Sequence, residues 1–596
     1  MGFLRNKEDV EEVVTSDVSI SDIDQGSLHY TAEGGENSNR LTVQEASGAP
    51  VEQHSPLGYS VGSVTVVFLN LSMMIGTGVF STPSTILSGT GSVGLSLIYW
   101  TLGFFMSYAT LSVYLEFAAY FPSRSGSEVV YLEQSFPRPR YLFPTVFAVQ
   151  TVIFSFSSSN AIGRFKEVND SRSVADIYLV VLAEYLFSLA GSTPTSMQEK
   201  GVAVAAYTVA VLVVIFHTKG SLILSNIIGV IKLLTLIFIG ITGLVVLGGH
   251  TSVQNPTLNF KHAFSGSEEA TVYGATNALI DIVFSYAGYT NAFNLVNEVK
   301  NPIKTLRWSA PLSLGITAAL YILANIAYFS VATKEEIIAS KQVVASIFFE
   351  KVFGTEGASK ALNFLICLSA FGNLIAVLIG QSRMLRECGR QGVLPWTSFW
   401  TSTKPFGTPL GPYLLKWALT IIMILAPPAG DAFNFIVDLS VYPGNLFIFV
   451  LTIGLIVTRR RRKRLNLEPA EYRCWNVALG FSLLCNLFML AMPWYPPSTG
   501  ADGGDVSFWY ATYCVTGLAI IAFCIFYYYV WVWLLPKWFK YQLRQTIIYG
   551  ENGITAHRLV KIPLADLETW DAEHDASGRL RQPIETQEGE IGLKHD

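Results

Sequence analysis

Charged residues are scarce in this chain of 596 residues: they make up 14% of it, against 51% hydrophobic residues. A soluble globular protein carries about 25% charged residues. The deficit arises from a series of apolar runs, each close to the roughly 20 residues that an α-helix needs to cross a bilayer. The composition excludes an ordinary soluble domain and predicts an all-α polytopic membrane protein.

The chain also lacks the residue patterns of catalytic and metal sites. Its six cysteines lie mostly in or beside apolar runs, with neither a metal-ligand spacing nor a secreted disulfide framework. The sequence contains no nucleophile–base set and no phosphate-binding loop, and His217 and His250 are isolated residues near loops. We therefore expect no enzyme activity, no metal and no cofactor.

Residues 1–58 contain none of the long apolar runs. They are acidic, rich in Ser and Gly and poor in aromatic residues, so they cannot bury enough apolar surface to fold alone. No charged segment with an apolar stretch precedes the first run, and we expect no cleavable signal peptide. The predicted parts are a disordered cytosolic N-terminal tail (1–58), a twelve-helix membrane domain (59–535) and a cytosolic C-terminal tail (536–596).

The apolar runs predict twelve transmembrane helices. Their approximate spans are 60–88, 92–120, 141–190, 200–217, 222–248, 272–297, 308–332, 358–384, 411–428, 431–457, 474–493 and 508–534. Basic residues concentrate in the loops after even-numbered spans, and basic loops stay on the cytosolic side of a membrane. Both termini are therefore expected in the cytosol. The run RRRRKR from Arg459 is a topology signal of this kind rather than a nucleic-acid patch, so no nucleic-acid partner is expected.

Charged residues interrupt the third predicted span. The apolar segments VFAVQTVIFSFSSSNAI and VVLAEYLFSLAG are separated by GRFKEVNDSRSVADIYL, residues 163–179. Charges inside a span are expensive in hydrocarbon. We interpret residues 163–179 as the translation of an intron retained in the gene model. A genuine loop that splits the span is the alternative.

Two apolar runs carry helix-weakening residues near their centres. LNLSMMIGTGVFSTPSTIL (69–87) contains two glycines and a proline, and ALIDIVFSYAGYTNAFNLVNEVKNP (278–302) contains small and polar residues. A pair of interrupted spans in corresponding positions points to an inverted-repeat transporter. Free N–H groups at such interruptions suit an anion, and free carbonyls suit a cation. Together they match the carboxylate and the ammonium group of an α-amino acid.

Several motifs resemble those of a known family. IGTGVF with GSVGLSLIYW resembles the opening of the amino acid–polyamine–organocation transporters, especially their L-type amino acid transporter branch. SRSGSEVVYLEQSF and SRMLRECGRQGVLP resemble two cytosolic signatures of that family, and the sixth span is most like that of the fungal methionine permeases. The resemblance covers about 60–535. It implies a LeuT-type five-plus-five inverted repeat with discontinuous helices 1 and 6 and two additional helices.

The resemblance also implies which residues bind the substrate. The backbone amides of Gly76, Thr77 and Gly78 match those that bind the carboxylate. The positions that match the ammonium and side-chain pockets are Met74, Ile75, Phe284, Ser285, Ala287, Tyr289 and Thr290. Phe284 matches the aromatic residue that closes over the substrate, and Tyr289 replaces a tryptophan common in animal L-type members. Close packing between helices is the alternative role of the glycines.

Lys232 and Asp281 are two of the ionisable residues inside predicted spans. Lys232 is in the fifth span, where burial favours its neutral form and allows its proton to exchange. We assign Lys232 to proton coupling or to a gating contact with the first span; a structural lysine bonded to unwound carbonyls is the alternative. Asp281, one turn before Phe284, either faces water or attracts a proton or a cationic substrate.

These features predict a secondary active transporter that imports neutral amino acids, methionine above all, across the plasma membrane by proton symport with alternating access. The alternatives are an amino acid exchanger, a cationic amino acid or polyamine carrier, and a nutrient receptor that does not transport.

The expected partners are an amino acid, a proton and the lipid bilayer. Animal L-type carriers bond a heavy chain through a cysteine between spans three and four, and SLAGSTPTSMQEKG contains none, so no disulfide-linked heavy chain is expected. Lys7 is a candidate acceptor for ubiquitin-ligase machinery, or an incidental residue. The segment after Pro536 mixes aromatic and basic residues and lies on the inner membrane surface or caps the cytosolic vestibule.

Overall fold

The computed structural model describes residues 28–76, 78–156, 186, 187, 189, 195–251, 253–339, 344–425, 431–497, 500 and 509–581. Most of this chain is α-helical, and one two-stranded antiparallel sheet lies near each end. Thr77 and the segment 163–179, both subjects of the sequence predictions, lie outside the described residues.

The main helices follow one another along the whole described chain. They are α1 (Ser63–Met74), α2 (Gly78–Ser81), α3 (Pro83–Thr90), α4 (Val93–Tyr120), α5 (Glu128–Ser135), α6 (Leu142–Ile153), α7 (Ser196–Phe216), α8 (Thr218–Leu247), α9 (Val272–Tyr286), α10 (Pro302–Val331), α11 (Glu356–Arg390), α12 (Leu410–Leu425), α13 (Asp431–Arg464), α14 (Asn476–Ala491) and α15 (Thr512–Tyr528). The strands are β1 (Tyr30–Glu33), β2 (Thr42–Glu45), β3 (Tyr541–Tyr549) and β4 (Thr555–Pro563).

Shorter elements lie in the connections. The short α-helices are Leu258–Lys261, Lys334–Ala339, Val344–Phe353, Thr397–Thr401, Leu535–Phe539 and Leu567–Glu573. The 3₁₀ turns are Ser267–Glu269, Asn291–Glu298, Met492–Trp494 and Glu551–Gly553, and Tyr529–Leu534 forms a π-helical turn that continues α15.

Seven described helices are long and apolar enough to cross a membrane: Val93–Tyr120, Thr218–Leu247, Pro302–Val331, Lys360–Arg390, Tyr442–Arg464, Asn476–Trp494 and Thr512–Phe539. Four shorter apolar helices accompany them: Ser63–Met74, Leu142–Ile153, Lys200–Phe216 and Leu410–Leu425. The chain is a multi-pass helical membrane protein, as its composition predicts. The number of twelve spans stays a prediction, because part of the third predicted span lies outside the described residues.

Hydroxyl side chains begin several helices. Ser92 caps α4 and Thr271 caps α9, each by accepting a hydrogen bond from a backbone N–H of the first turn. Before α7, Thr195 and Gln198 form a reciprocal capping box. Such caps satisfy amides that have no partner within the helix, and each contributes about 0.5–2 kcal/mol.

The centre of the molecule is formed by α1, α4, α8, α10 and α11, which pack side by side. Glycine allows α8 and α10 to approach closely, since a Cβ at Gly243 would lie 2.2 Å from the Cβ of Ala327. Trp100, Tyr286 and Tyr321 are buried together, and the Trp100 ring meets the two tyrosine rings edge to face with centroids 6.0 and 5.3 Å away. Pairs of this geometry are favourable beyond their buried area. The three rings form a rigid wall beside both helix interruptions described below.

Residues 28–58, predicted as part of a disordered tail, are folded in the structure. β1 pairs antiparallel with β2, and Val61 beyond them forms a bridge to Val299. Gln44 and Glu52 are fully buried, because both bond to arginine side chains of the bundle. The prediction of disorder over 1–58 is therefore wrong for 28–58. Its composition cannot form a core of its own, but the charged end of the bundle provides the missing partners.

The C-terminal segment forms the second hairpin, β3 and β4, and packs against one end of the bundle. Arg390 at the end of α11 donates from Nε to the carbonyl oxygen of Thr555 on β4 at 2.9 Å. The two hairpins also meet, because Gln545 Nε2 on β3 donates to the carbonyl oxygen of Ala46 at 2.9 Å. Both ends of the described chain therefore cover the same end of the bundle.

Candidate functional site

The first helix interruption separates α1 from α2. Met74 ends α1, and Ile75 has φ −80° and ψ 81°, outside the helical region. The N–H of Gly76 donates to the carbonyl oxygen of Met74 at 2.9 Å in a tight turn. α2 then starts at Gly78, and α3 starts at Pro83, where the missing N–H removes no helical bond. The interruption lies within the stretch that the sequence marks with glycine and proline.

The second interruption follows α9. Ala287 has φ −57° and ψ 133°, and Gly288 has φ +122°, a value that residues with a side chain rarely adopt. A Cβ at Gly288 would also lie 2.7 Å from Cγ of Met73 on α1. From Asn291 the chain continues as a 3₁₀ helix. The two interruptions therefore touch each other, and Gly288 is required both by conformation and by space.

Side chains of α8 and α11 satisfy carbonyls that the first interruption leaves without helical partners. Lys232 is buried and donates from Nζ to the carbonyl oxygens of Ser72 at 2.8 Å and Ile75 at 2.6 Å. From α11, Ser369 donates to Ile75 O at 3.2 Å and Asn373 donates to the carbonyl oxygen of Met73 at 2.6 Å. A buried carbonyl without a partner costs about 1–3 kcal/mol, so this set of donors holds the unwound shape.

One hydroxyl connects the two interruptions. Tyr321 on α10 is fully buried, and its Oη lies 2.7 Å from the carbonyl oxygen of Met74 and 3.0 Å from that of Ser285. A tyrosine has one O–H proton, so the two carbonyls share a single donor. Sequence reasoning missed this residue, because a tyrosine in an apolar helix is indistinguishable from a packing residue until the fold is known.

Two asparagines connect the second interruption to neighbouring helices. Asn70 on α1 donates from Nδ2 to Tyr289 O and accepts at Oδ1 from the N–H of Ala292, both at 2.8 Å. Asn291 donates from Nδ2 to the carbonyl oxygen of Ala376 on α11 at 2.9 Å. These side chains were not predicted either. An asparagine at mid-span among apolar residues is the signal that was available for Asn70.

The structure gathers the described members of the predicted substrate set around the two interruptions. They are Met74, Ile75, Gly76 and Gly78 at the first, and Phe284, Ser285, Ala287, Tyr289 and Thr290 at the second. Some of their backbone groups already have internal partners: the Gly76 amide bonds to Met74, and the Phe284 carbonyl accepts from the N–H of Ala287 at 3.0 Å. The carbonyls of Met74 and Ser285 also face the Tyr321 hydroxyl, which another donor is able to replace.

Asp281 and Tyr289 have defined partners. Thr85 on α3 donates from Oγ1 to Oδ2 of Asp281 at 2.8 Å, which ties the segment after the first interruption to α9. The backbone carbonyl of Tyr289 accepts from Asn70 Nδ2 at 2.8 Å. On α4, Thr110 Oγ1 lies 3.2 Å from Oγ of Ser482 on α14.

A buried group of charged residues, here called the charged cluster, lies at the hairpin-covered end of the bundle. Its members are Glu52, Arg124, Glu133, Glu298, Arg383, Arg386, Glu387 and Arg390, all nearly inaccessible to solvent. Arg386 pairs with Glu52 at 2.5 Å, Arg124 with Glu387 at 2.8 Å, and Arg383 Nε with Glu298 at 2.9 Å. The pairs join the N-terminal segment, the loop after α4, the end of the 3₁₀ helix and α11. They lock these elements together at this end.

Two titratable groups, Glu133 of the cluster and His557 next to it, have pKa values shifted so that their neutral forms are favoured. Burial raises the pKa of Glu133 to about 7, although Arg124 lies 3.4 Å away. Burial, reinforced by the positive charges of Arg124 and Arg390, lowers the pKa of His557 on β4 to about 3. His557 is therefore uncharged at neutral pH as long as β4 stays packed on the cluster.

The described residues contain no group of three or more His, Cys, Asp or Glu side chains able to hold a metal ion. What the site offers instead is backbone: carbonyl oxygens and amides of two unwound segments, one buried cation and several neutral hydroxyl and amide donors. Such groups are suited to a small dipolar molecule.

Known proteins resemble this chain along most of its length. The family model for amino acid permeases matches residues 61–521. The chain is 35% identical to the high-affinity methionine permease of Saccharomyces cerevisiae, over 86% of each chain. It is 29% identical to the low-affinity methionine permease of the same yeast, over 94% of this chain and 98% of that one.

More distant similarity extends to animal transporters. The human cystine/glutamate transporter is 26% identical over 82% of this chain and 89% of its own length. The resemblance to amino acid–polyamine–organocation transporters that the motifs indicate is confirmed by the family model and by these relatives. The chain belongs to the amino acid permease family of multi-pass membrane transporters.

Proposed function

We propose that this permease imports neutral amino acids, with methionine as the first candidate, together with a proton by alternating access. The observation that carries the proposal is the contact between two helix interruptions whose Met74 and Ser285 carbonyls share the Tyr321 hydroxyl. The names of the two yeast relatives, both methionine permeases, supply the candidate substrate.

A zwitterionic amino acid fits this place. An ammonium group carries three donors, so it satisfies both carbonyls at once where the tyrosine hydroxyl has one proton to share. The carboxylate is assigned to the amide of Gly78 at the start of α2 and to that of Thr77, which lies outside the described residues, because the Gly76 amide is engaged with Met74 O at 2.9 Å. The partial positive charge of unpaired amides at a helix start favours an anion there.

Neutral side chains are favoured over cationic ones by what surrounds the interruptions. Met73, Ser285 and Tyr289 present apolar or uncharged groups. The nearby acid Asp281 accepts a hydrogen bond from Thr85 at 2.8 Å and is thereby tied to α3. A lysine or polyamine substrate would have to compete with that bond, whereas a thioether or aliphatic side chain needs no charged partner.

Tyr321 supports net import rather than obligatory exchange. When substrate leaves, the carbonyls of Met74 and Ser285 lose their ammonium donor. The Met74 carbonyl keeps the Gly76 N–H at 2.9 Å, whereas an unsatisfied Ser285 carbonyl would cost about 1–3 kcal/mol. The Tyr321 hydroxyl, at 2.7 and 3.0 Å, takes over as their donor. An empty carrier can then close and return without a second substrate, which an exchanger cannot do.

Lys232 is the proposed proton site. It is buried on α8 and donates to the neutral carbonyls of Ser72 and Ile75. Deprotonation removes the charge that holds these carbonyls, so the first interruption and the proton are coupled. The same bonds give Lys232 a gating contact with the first span.

The remaining parts of the proposal concern arrangement and location. We assign twelve spans in a LeuT-type five-plus-five repeat, with plasma-membrane insertion and both termini in the cytosol. The charged cluster would then form the closed cytosolic gate, held by Arg386–Glu52 and Arg383–Glu298 at 2.5 and 2.9 Å. Phe284, half-buried at the end of α9, is the proposed aromatic lid on the opposite side of the substrate.

Uptake by the purified full chain in proteoliposomes tests the function. Labelled methionine should accumulate when the outside is more acidic, and unlabelled leucine should compete better than lysine or spermidine. If accumulation requires amino acid preloaded inside the vesicles, the protein is an exchanger and the proposal of net import is wrong. If methionine binds but is not taken up, the protein is a receptor and the proposal of transport is wrong.

A further inference from the structure

A cavity of about 510 Å³ lies between the start of α6, the end of α15 and strand β3. It is separate from the helix interruptions and from the charged cluster. Its lining residues are Pro139, Arg140, Tyr141, Tyr528, Val532, Trp533, Pro536, Lys537, Tyr541, Gln542, Leu543, Arg544 and Leu564. The C-terminal hairpin thus forms one wall of the cavity, and the helix bundle forms the other.

Positive charge dominates this cavity. Arg140, Lys537 and Arg544 line it, and none of the described lining residues is acidic. Arg544 pairs with Asp571 outside the lining at 2.7 Å, which leaves the charges of Arg140 and Lys537 as the excess. Next to the cavity, burial and the like charge of Arg140 lower the pKa of Arg138. A bound anion would therefore reduce the repulsion between these basic side chains.

Two buried polar atoms on the wall have no hydrogen-bond partner among the residues that the structure describes. They are Nε of Arg140 and the hydroxyl of Tyr541. A buried polar group left unsatisfied costs about 1–3 kcal/mol. Both atoms are donors, and oxygens of a tetrahedral anion accept such bonds well, with the guanidinium suited to phosphate geometry.

The cavity is also amphipathic, and it lies where a helix long and apolar enough to cross a membrane ends. Val532, Pro536, Leu543 and Leu564 supply apolar surface opposite the cations. The span Thr512–Phe539 ends here, and Trp533 on its last turns is 58% exposed. Tryptophan is enriched where hydrocarbon meets the headgroups. A ligand with an anionic head and an apolar tail matches this combination better than a fully soluble anion.

We propose that this cavity binds the phosphate of an anionic phospholipid headgroup and so fastens the C-terminal hairpin to the membrane end of α15. The shared chemistry is a phosphate anion between Arg140 and Lys537; soluble phosphate is the other source of it. This site is independent of the proposed transport, because none of its residues contacts the interruptions.

Lipid retention by the purified full chain tests the site. The protein is equilibrated with mixed vesicles of phosphatidylglycerol and phosphatidylcholine, extracted, and its bound lipids are counted by native mass spectrometry. Phosphatidylglycerol should be retained selectively. In the double variant Arg140→Gln/Lys537→Gln, its affinity should fall about 25-fold, because each basic residue near a membrane surface contributes roughly a factor of 5.

A matched double variant controls for charge. Lys304 and Arg307, at the start of α10 and exposed, do not line the cavity. Lys304→Gln/Arg307→Gln removes the same charge and should keep the bound phosphatidylglycerol. The single variant Lys537→Gln, at an exposed position, guards against misfolding and should lose about 5-fold.

The outcomes separate the sources. Displacement of the bound lipid by excess inorganic phosphate, with loss in the Arg140→Gln/Lys537→Gln variant, would support the phosphate site with a soluble occupant. Equal retention of both lipids by the unchanged protein, or equal loss in both double variants, would overturn the proposal.

Discussion

The two polar regions of this protein are built in opposite ways. At the helix interruptions, backbone carbonyls are satisfied mostly by neutral donors such as Tyr321, Ser369 and Asn373. In the charged cluster, carboxylates and guanidinium groups pair directly, as Arg124 and Glu387 do at 2.8 Å. Neutral hydrogen bonds contribute about 0.5–1.5 kcal/mol each and can be exchanged for those of a ligand. Breaking one side of a buried ion pair costs about 3–5 kcal/mol.

We propose that this difference divides the work between them: hydrogen bonds at the interruptions are exchanged with substrate during transport, and the charged cluster holds the hairpin-covered end closed. The predictions below test that division, beginning with the cluster, where the largest energies are expected.

Glu52→Gln should open the hairpin-covered end. Glu52 accepts from Arg386 at 2.5 and 3.2 Å and from Asn297 at 3.0 Å, so losing its charge leaves Arg386 buried without a carboxylate. The closed state should lose about 3–5 kcal/mol. Cys388 on α11 is fully buried and serves as the reporter: its labelling by a maleimide should accelerate strongly.

The control removes a charge pair at the surface. Arg40→Gln deletes a pair with Glu471 at 2.9 Å between half-exposed side chains, and should change stability by less than about 1 kcal/mol. Labelling of Cys388 at the same rate in both variants would show that the cluster is not a lock.

Lys232→Met should uncouple the first interruption from the proton. Its loss leaves the carbonyls of Ser72 and Ile75 without their charged donor, at about 1.5–3 kcal/mol per bond. Methionine uptake should lose its dependence on the pH gradient while binding persists. Lys416→Met is the matched variant, because Lys416 is also buried but donates to Ser155 O at 3.1 Å, away from the interruptions. It should keep the gradient dependence; the same retention in Lys232→Met would remove the coupling role.

Gly288→Ala should distort the contact between the interruptions. The position has φ +122°, and a Cβ there would lie 2.7 Å from Cγ of Met73. Overpacking of this kind costs about 1–3 kcal/mol, and uptake should fall sharply. Gly315→Ala, in the middle of α10 with open space around it, should be neutral or stabilise the protein by up to about 1 kcal/mol. Thermal unfolding and initial uptake rates measure both variants.

Acid should loosen the C-terminal hairpin through His557. Packed on the cluster, this residue has a pKa of about 3, against its ordinary value near 6.5 when released. The depressed pKa means that its stabilisation is complete above pH 6.5 and is lost as the pH falls. At pH 5.5 the loss should be about 1.4 kcal/mol.

Amide hydrogen exchange in β4 measures this loosening. The neighbouring Arg124, Arg390 and Arg579 side chains stay charged in this range, so they do not supply the pH dependence. Glu133, whose pKa is raised to about 7, binds a proton in the folded state as the pH falls, and this acts in the stabilising direction. Because the intrinsic exchange rate of an amide changes with pH, protection factors are compared: His557→Gln should abolish their fall in β4 between pH 7 and 5.5. If the acid-induced exchange survives that substitution, another group is responsible.

Tyr321→Phe should have the smallest effect on stability and a selective effect on transport. Removing one neutral hydroxyl costs about 1 kcal/mol. Uptake into empty vesicles should fall, because the empty carrier has lost the donor to Met74 and Ser285, while exchange against preloaded methionine persists. Tyr286→Phe removes a similar bond, 3.1 Å from the Trp100 carbonyl, and should affect neither. Equal loss of uptake and exchange in Tyr321→Phe would contradict its proposed role in the empty carrier.

Much of the interruption region could be predicted from the chain itself. Gly76, Gly78 and Pro83 weaken a helix locally, and the apolar runs around them predict a membrane span. The position of the interruption within that span is therefore encoded in neighbouring residues. The partners could not be predicted in the same way. Tyr321 and Asn70 lie on other helices, far along the chain, and an isolated tyrosine or asparagine in a span carries no mark of what it will bond.

The N-terminal segment shows the limit most clearly. Its polar composition predicts that it cannot form a core of its own, yet Glu52 is buried, because Arg386 and Arg390 approach it from α11. Composition describes what a segment can do alone. It does not describe what a distant charge of opposite sign allows it to do.

The sequence by itself determined that this protein crosses a membrane with helices, where two of them unwind, and which family it resembles. Those properties follow from hydrophobic length and from backbone preferences of single residues, which act locally. The tertiary structure decided which donors satisfy the unwound carbonyls, which charges pair at the hairpin-covered end, and where a cavity remains. These depend on distances between residues hundreds of positions apart, and only the packed helices set those distances.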